Sequence, residues 1–367
     1  MQRILNYGSF FQAYSLKTIL ESLGHEVVFV DYRVEWPIAL KHSYKTKSLR
    51  HLRMIKRMIL HPYHYDKKKD PLYEFFLPCY KLLGLSPTYH FREKVDVLVV
   101  GSDEVFNCLQ ENPDVGYSME LFGKNNNAKK LISYAASFGD TTLQRLKNYE
   151  VHEEIGAYLK RFDAISVRDN NSSEIVEKLC GIIPDQHFDP ALISNLEELK
   201  WRECNLDHFM VVYGYKRRFS EEEGAAIMSF AQKRQLKVVI LNASQIFGDV
   251  LIRCRPDEIL GYFAKAEYVV TDTFHGTIFS VLYHKPFAVL CRTPDDTHYS
   301  NQNKLIDLIE KLQLEEQHVT RPENIGETLE REIDYNAIDR IRVVERERAL
   351  SYLRKECGEE NGNSTDL

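Results

Sequence analysis

Residues 266–290 constrain the fold of this chain more than any other stretch, because an apolar run gives way there, across one short polar loop, to a helical pattern. Tyr268 to Val270 reads as a buried strand, Thr277 to Tyr283 as a helix and Pro286 to Leu290 as the next strand. His275 then lies at a strand's carboxyl end, where open α/β sheets bind ligands. A helix starting at Gly276–Thr277 offers backbone N–H groups and a positive dipole end to an anion. A lone histidine is most often a core residue satisfied by a backbone carbonyl. Here Gly276 permits close backbone approach, Asp272 is placed to orient an imidazole, and Thr273 and Thr277 add hydroxyls at the same rim. The pattern predicts a proton carrier beside an anion cradle, and so chemistry on a phosphorylated or carboxylated substrate.

The same alternation recurs along the chain. Asn6–Ser9 lead into a helical pattern, Phe10–Leu23, ended by Gly24 and followed by a strand, Glu26–Asp31. A doubly wound domain opens with a strand before such a helix, and only Met1 to Leu5 stand in that position here. From Val95 the pattern gives strand Val95–Val100, strand Leu131–Ala135, a helix around Thr142–Leu159 and strand Ala164–Val167. Ser172 or Ser173 is placed to cap a helix over Glu174–Leu179. A second series follows: Phe209–Tyr213, Glu221–Arg234, Lys237–Leu241, Asp257–Ala264, and then the stretch around His275, with helices over Asn303–Lys311 and Ile333–Arg354.

The two series, joined near Asp189–Leu206, imply an α/β chain with two Rossmann-like halves facing across a cleft. The boundaries expected are 1–195 and 205–330, then a C-terminal helix at 331–355 and a disordered tail at 356–367. An insert at about 36–92 breaks the alternation. Between Lys41 and Lys69 it carries ten Lys/Arg and one acid, Asp66, with Leu49, Leu52, Ile55, Met58 and Ile59 near helical spacing. The preferred reading is the solvated face of a helical hairpin packed on its domain; the other is a surface helix for anionic lipid at the inner membrane surface or for a lipid-linked phosphate.

At 367 residues the chain is too long for one core, which agrees with two domains. A net charge of −6 gives no field that would favour nucleic acid. No apolar run has the length of a membrane span and the first residues lack a signal-peptide core, so the expected location is the cytoplasm. The seven cysteines form no Cys-x-x-Cys pair and the 13 histidines no metal-binding spacing, so no disulfide framework and no metal are expected. Loops for dinucleotides, P-loop phosphates and a serine nucleophile are absent from the sequence.

Polar residues collect instead at strand ends: Ser102 and Asp103 after one strand, Arg168 and Asp169 after another, Asp272 and His275 after a third. A carboxylate for sugar hydroxyls, a guanidinium for phosphate or carboxylate and a proton carrier are complementary chemistries. Arg168 reads equally as an ion-pair partner of Asp169 or Asp163, and Asp103 as a helix cap.

Several segments in order resemble the polysaccharide pyruvyl transferase family: Asn6–Tyr14, Asp96–Asn107, Ser133–Gly139, Ser166–Asp169, Asp189–Leu192 and Thr271–Ser280. The resemblance implies a GT-B-like pair of Rossmann-type domains and transfer of pyruvate from phosphoenolpyruvate to sugar hydroxyls as a ketal, in cell-surface polysaccharide synthesis. By position it implies His275 as catalytic acid or base, with Asp272 beside it. Phosphoenolpyruvate would be bound by Arg168, Gly276, Thr277 and Thr273. Some members carry Arg where this chain has Thr273, so Lys285 and Arg292 are expected to supply the missing anion contact. The acceptor, a lipid- or nucleotide-linked sugar, is assigned to Asn6, Tyr7, Gly8, Ser9, Ser102 and Asp103. No cofactor is expected beyond phosphoenolpyruvate as donor substrate. Two other readings suit the same architecture: a nucleotide-sugar glycosyltransferase with His275 near a diphosphate, and a non-catalytic scaffold subunit.

Overall fold

The computed structural model describes residues 1–35, 38, 72–110, 117–199, 201–291 and 302–358. The expectations for Leu49–Ile59, Arg292 and the polar tail lie outside those residues, except that the tail's first residues, Glu356 and Cys357, end a helix. The chain divides into two compact units, Met1–Pro190 with Glu345–Leu367, and Ala191–Val344. The division falls inside the last helix, so the expected free-standing C-terminal helix is shared between the units.

The first unit contains α1 (Tyr7–Ser22), α2 (Tyr73–Leu83), β1 (Val97–Asp103), β2 (Lys130–Ala136), α3 (Leu143–Asn148), α4 (His152–Leu159), β3 (Ser166–Val167), α5 (Asn170–Cys180) and β4 (Asp185–Gln186). Its sheet is parallel, in the order β1-β2-β3-β4. The helix expected over 142–159 is broken in two, with Glu150 in the left-handed region at φ 56° between the pieces. α5 starts earlier than expected, because Asp169 rather than a serine caps it by accepting from the Ser172 amide at 2.8 Å. The strand expected at Glu26–Asp31 forms no ladder among the described residues, although Val27, Val28, Phe29 and Val30 have the residue types of one.

The second unit contains β5 (Phe209–Tyr213), α6 (Glu221–Lys233), β6 (Lys237–Leu241), β7 (Val250–Ile252), α7 (Pro256–Lys265), β8 (Tyr268–Thr271), α8 (Phe274–Leu282), β9 (Phe287–Leu290), α9 (Gln302–Lys311), β10 (His318–Val319) and α10 (Ile325–Glu330). α11 (Tyr335–Cys357) begins here and ends in the first unit. The sheet is parallel throughout, in the order β10-β9-β8-β5-β6-β7. Strands covered on both faces require continuous apolar runs. Phe209, Met210, Val211 and Val212 of β5 supply one, and each is fully buried, worth roughly 1.5–3 kcal/mol per side chain. The sequence winds outward in one direction from β5 and in the other from β8. The two central strands therefore form a topological switch point, where their carboxyl ends leave a crevice.

In the first unit, α11 brings Tyr352 against the sheet. Its hydroxyl donates to Ser133 O at 2.8 Å, and its ring packs on His187 at 4.8 Å between centroids. His187 is 4% exposed, with Nδ1 2.7 Å from Ser166 Oγ, and burial pushes its pKa down from 6.5 to about 4. The folded form keeps the ring neutral while the unfolded chain protonates near the ordinary value. This contribution is therefore complete above about pH 6.5 and is lost as pH falls through about 4. It is worth about 3 kcal/mol across that window. The expected result is that His187→Phe flattens the pH dependence of the urea midpoint between pH 7.5 and 4.5; a slope equal to that of the unsubstituted protein would exclude the role.

Candidate functional site

Each sheet gathers polar side chains at its carboxyl edge. In the second unit, Thr273 lies between β8 and α8 with extended backbone, and its Oγ1 accepts from the Gly276 amide at 3.0 Å. Its carbonyl accepts from the Thr277 amide and the Thr277 hydroxyl, each at 3.1 Å. The amides of Gly276 and Thr277, expected to cradle an anion, are thus occupied by the cap. The helix begins at Phe274, two residues before the expected start, and its positive end lies at Phe274 and His275.

A further hydroxyl ties this cap to the neighbouring strand. Thr271 Oγ1 donates to Tyr213 O at 2.6 Å and lies 3.0 Å from Thr273 Oγ1. Gly276 must be glycine here, since a Cβ would collide with Thr271 Oγ1 and stand 2.6 Å from Thr273 Oγ1. Gly214 does the same work on the other side of the crevice, where a Cβ would stand 2.7 Å from Asp272 Oδ1. His275 is half-buried, flanked by Phe274 at 5.3 Å and Phe279 at 6.1 Å between ring centroids. Its Nε2 is buried although the residue as a whole is partly exposed.

Asp272 is fully buried at its side chain, and Oδ2 lies 2.9 Å from Nε of Arg218, whose side chain is 9% exposed. The Arg218 guanidinium also lies over the Tyr215 ring at 5.0 Å. Sequence reasoning missed this cation. Its only local signal is the run Lys216-Arg217-Arg218 after β5, and nothing local shows that β5 lies beside β8. Lys285 is placed elsewhere: it precedes β9, at the amino edge of the parallel sheet, where Nζ donates to Ala264 O at 2.6 Å and burial lowers its pKa. That position does not suit the anion contact expected of it at the carboxyl edge.

In the first unit, Arg168 leaves the end of β3 and is 3% exposed. Nη1 lies 2.7 Å from Asp189 Oδ2, and Nη2 lies 3.9 Å from Asp103 Oδ1. Neither Asp163 nor Asp169 is its close ion-pair partner: Asp163 accepts from the Leu131 amide at 2.7 Å, and Asp169 accepts from Ser137 Oγ at 2.5 Å besides capping α5. Burial pulls the Arg168 pKa down, but Asp189, Asp103, Asp169 and Glu104 outweigh it, so the net direction is up and the charge is retained. A guanidinium so enclosed by carboxylates serves first to fix them.

Asp103 is not a helix cap. Its backbone is in the left-handed region at φ 73°, and Oδ2 accepts from Ser9 Oγ at 2.7 Å. Asn6 caps α1 by accepting from the Ser9 amide at 3.1 Å. Tyr7 is buried against Phe76, and Ser102 is fully buried, donating to Ala135 O at 2.9 Å. Of the residues assigned to an acceptor, Asn6, Ser9 and Asp103 come together at one edge, while Tyr7 and Ser102 are turned into the core. All seven cysteines are unbridged. Among the described residues no helix is long and apolar enough to cross a membrane.

Two α/β units in one chain, each with a parallel sheet and polar side chains at its carboxyl edge, define a two-domain Rossmann-like fold. The family model for polysaccharide pyruvyl transferase matches residues 6–290, and the chain belongs to that family. No curated protein matches it. Solved structures similar in fold include a putative UDP-N-acetylglucosamine 2-epimerase from Listeria monocytogenes, 11% identical over 72% of this chain and 76% of that one, with a TM-score of 0.41. An alpha,alpha-trehalose-phosphate synthase (UDP-forming) from Burkholderia vietnamiensis is 9% identical over 89% and 81%, with a TM-score of 0.35. The glycotransferase of kitacinnamycin is 10% identical over 96% of each chain, with a TM-score of 0.39.

Proposed function

We propose that the protein transfers pyruvate from phosphoenolpyruvate to two hydroxyls of a sugar, forming a cyclic ketal during synthesis of a cell-surface polysaccharide. The observation that carries this reading is the set His275, Arg218–Asp272 and the Thr273-capped helix start, gathered at the switch point of the second unit's sheet. His275 donates a proton to the methylene carbon of the enol phosphate, which becomes a methyl group and leaves C2 electrophilic. A sugar hydroxyl adds to C2 and returns its proton to the imidazole. The bond from C2 to the phosphate oxygen breaks, phosphate departs, and a second hydroxyl closes the ketal with its proton passing to phosphate or solvent.

Arg218 and the positive end of α8 attract the donor's phosphate and carboxylate, which supplies the anion contact that Thr273 does not. Asp272 holds the guanidinium in place. In the first unit Asp103 and Ser9, with Arg168 beside them, offer hydrogen-bonding groups to a sugar, and the acceptor is a lipid- or nucleotide-linked sugar in the cytoplasm. The test is ligand-induced stabilisation followed by product mass. Phosphoenolpyruvate at ~100 times its dissociation constant stabilises by about 2.7 kcal/mol, raising the melting temperature, and glycan precursors then gain the mass of a pyruvate ketal with phosphate released. Stabilisation by nucleoside diphosphates and none by phosphoenolpyruvate would favour a glycosyltransferase and reject this reading.

A further inference from the structure

The second unit's sheet ends on one side at β7, which pairs with β6 alone among the described residues. An open strand edge is a template for another chain, and native sheets commonly blunt it with a charged residue or a proline inside the strand. β7 has neither: it runs Val250, Leu251, Ile252, and the first two are 38% and 45% exposed. Ile252 O accepts from the Asn242 amide at 2.8 Å, so Ile252 turns its backbone carbonyl toward the β6 side. The backbone groups of successive strand residues point to opposite sides. Leu251 therefore presents its N–H and C=O on the open edge.

The sequence here is complementary to its own reverse. Asp249 and Arg253, both exposed, flank the apolar residues with opposite charges. Asp249 Oδ2 accepts from the Val238 amide at 2.7 Å, which fixes the carboxylate beside the start of β7. Arg253 has no ion pair or hydrogen bond among the described residues. On the alternation of a strand, Asp249, Leu251 and Arg253 fall on one face. We propose that β7 is the interface of a symmetric homodimer, in which the strands of two copies pair antiparallel with Leu251 opposite Leu251 of the second copy. That register sets Val250 opposite Ile252 and Asp249 opposite Arg253, at both ends by symmetry. The outward groups of Leu251 then exchange both hydrogen bonds across the axis, and each Arg253 gains a carboxylate. A parallel pairing would set Asp249 against Asp249 and Arg253 against Arg253, which disfavours it. With three residues in β7 the contact is small, so the dimer is reversible rather than obligate.

The test is sedimentation equilibrium of the full chain over roughly 1–300 μM, beside Leu251→Arg and Leu251→Asp, each alone and in equal mixture. The unsubstituted chain is expected to pass from monomer toward dimer as its concentration rises. Each variant alone places like charges opposite each other on the axis and is expected to stay monomeric. Their mixture opposes unlike charges and restores the dimer. Leu251 is already exposed, so both variants should keep the melting temperature of the unsubstituted chain. Arg253→Glu is a second probe at an exposed side chain. It should weaken the dimer by about 10-fold, because the change acts at both ends of the pairing. A chain that is monomeric throughout overturns the proposal. So does a position-251 variant that dimerises as tightly as the unsubstituted chain, or a mixture that stays monomeric. If the position-251 variants do not fold, Arg253→Glu decides, and an unchanged dissociation constant overturns the proposal.

Discussion

His275→Ala is expected to lower turnover by about 10²–10⁴-fold with the fold intact, the range that one positioned general acid or base contributes. The side chain is half-buried and lies in the first turn of a helix whose start is held by Thr271 and Thr273, so removing the imidazole leaves those hydrogen bonds in place. Phosphoenolpyruvate should still stabilise the variant, because the anion contacts are assigned to Arg218 and the helix start. The combination expected is a large loss of kcat with a retained thermal shift. A folded variant with unchanged turnover would remove His275 from the chemistry. Loss of the thermal shift together with turnover would move it from proton transfer to donor binding.

Arg168→Met is expected to be the most destabilising single change at either edge. It leaves Asp189, 1% exposed, without the guanidinium 2.7 Å away, and weakens the hold on Asp103. Removing one partner of a buried pair costs about 3–5 kcal/mol, a large fraction of the ~5–15 kcal/mol that keeps a domain folded. Replacing both partners with apolar residues, R168M with D189L, should recover most of that loss, because the fully buried carboxylate closest to the guanidinium is removed with it. Urea midpoints of the two single variants and the double variant make the measurement. A double variant as unstable as R168M would show that the pair is not what the single change disrupts. Acceptor use should fall in every variant lacking Arg168, including the restabilised one, if Asp103 receives the acceptor.

The parallel α/β character and the strand-to-helix handover at His275 are written in local runs, and both were legible for that reason. Tyr268–Val270 and Phe209–Tyr213 are apolar without interruption, as strands buried on both faces must be. Pairing partners are not local. That β5 neighbours β8, which places Arg218 on Asp272, depends on two segments 58 residues apart at Tyr213 and Thr271. The same limit explains Lys285, close to His275 in sequence yet at the opposite edge of the sheet because a helix intervenes. Glu26–Asp31 shows the converse: its residue types are those of a strand, but a ladder needs a paired neighbour, and none pairs with it among the described residues. Arg168 was read as a polar strand-end residue, but its partners Asp189 and Asp103 are brought to it by other strand ends.

The first unit is discontinuous: residues from Glu345 onward belong to it, and through Tyr352 they touch Ser133 and His187. A ribosome releases the chain from the amino terminus, so every strand of the second unit has emerged before the helix that completes the first one. The amino-terminal portion must therefore wait, with its sheet incompletely covered, while the middle of the polypeptide assembles. The hydrogen bond from Tyr352 to Ser133 therefore forms only after the whole second unit has been synthesised.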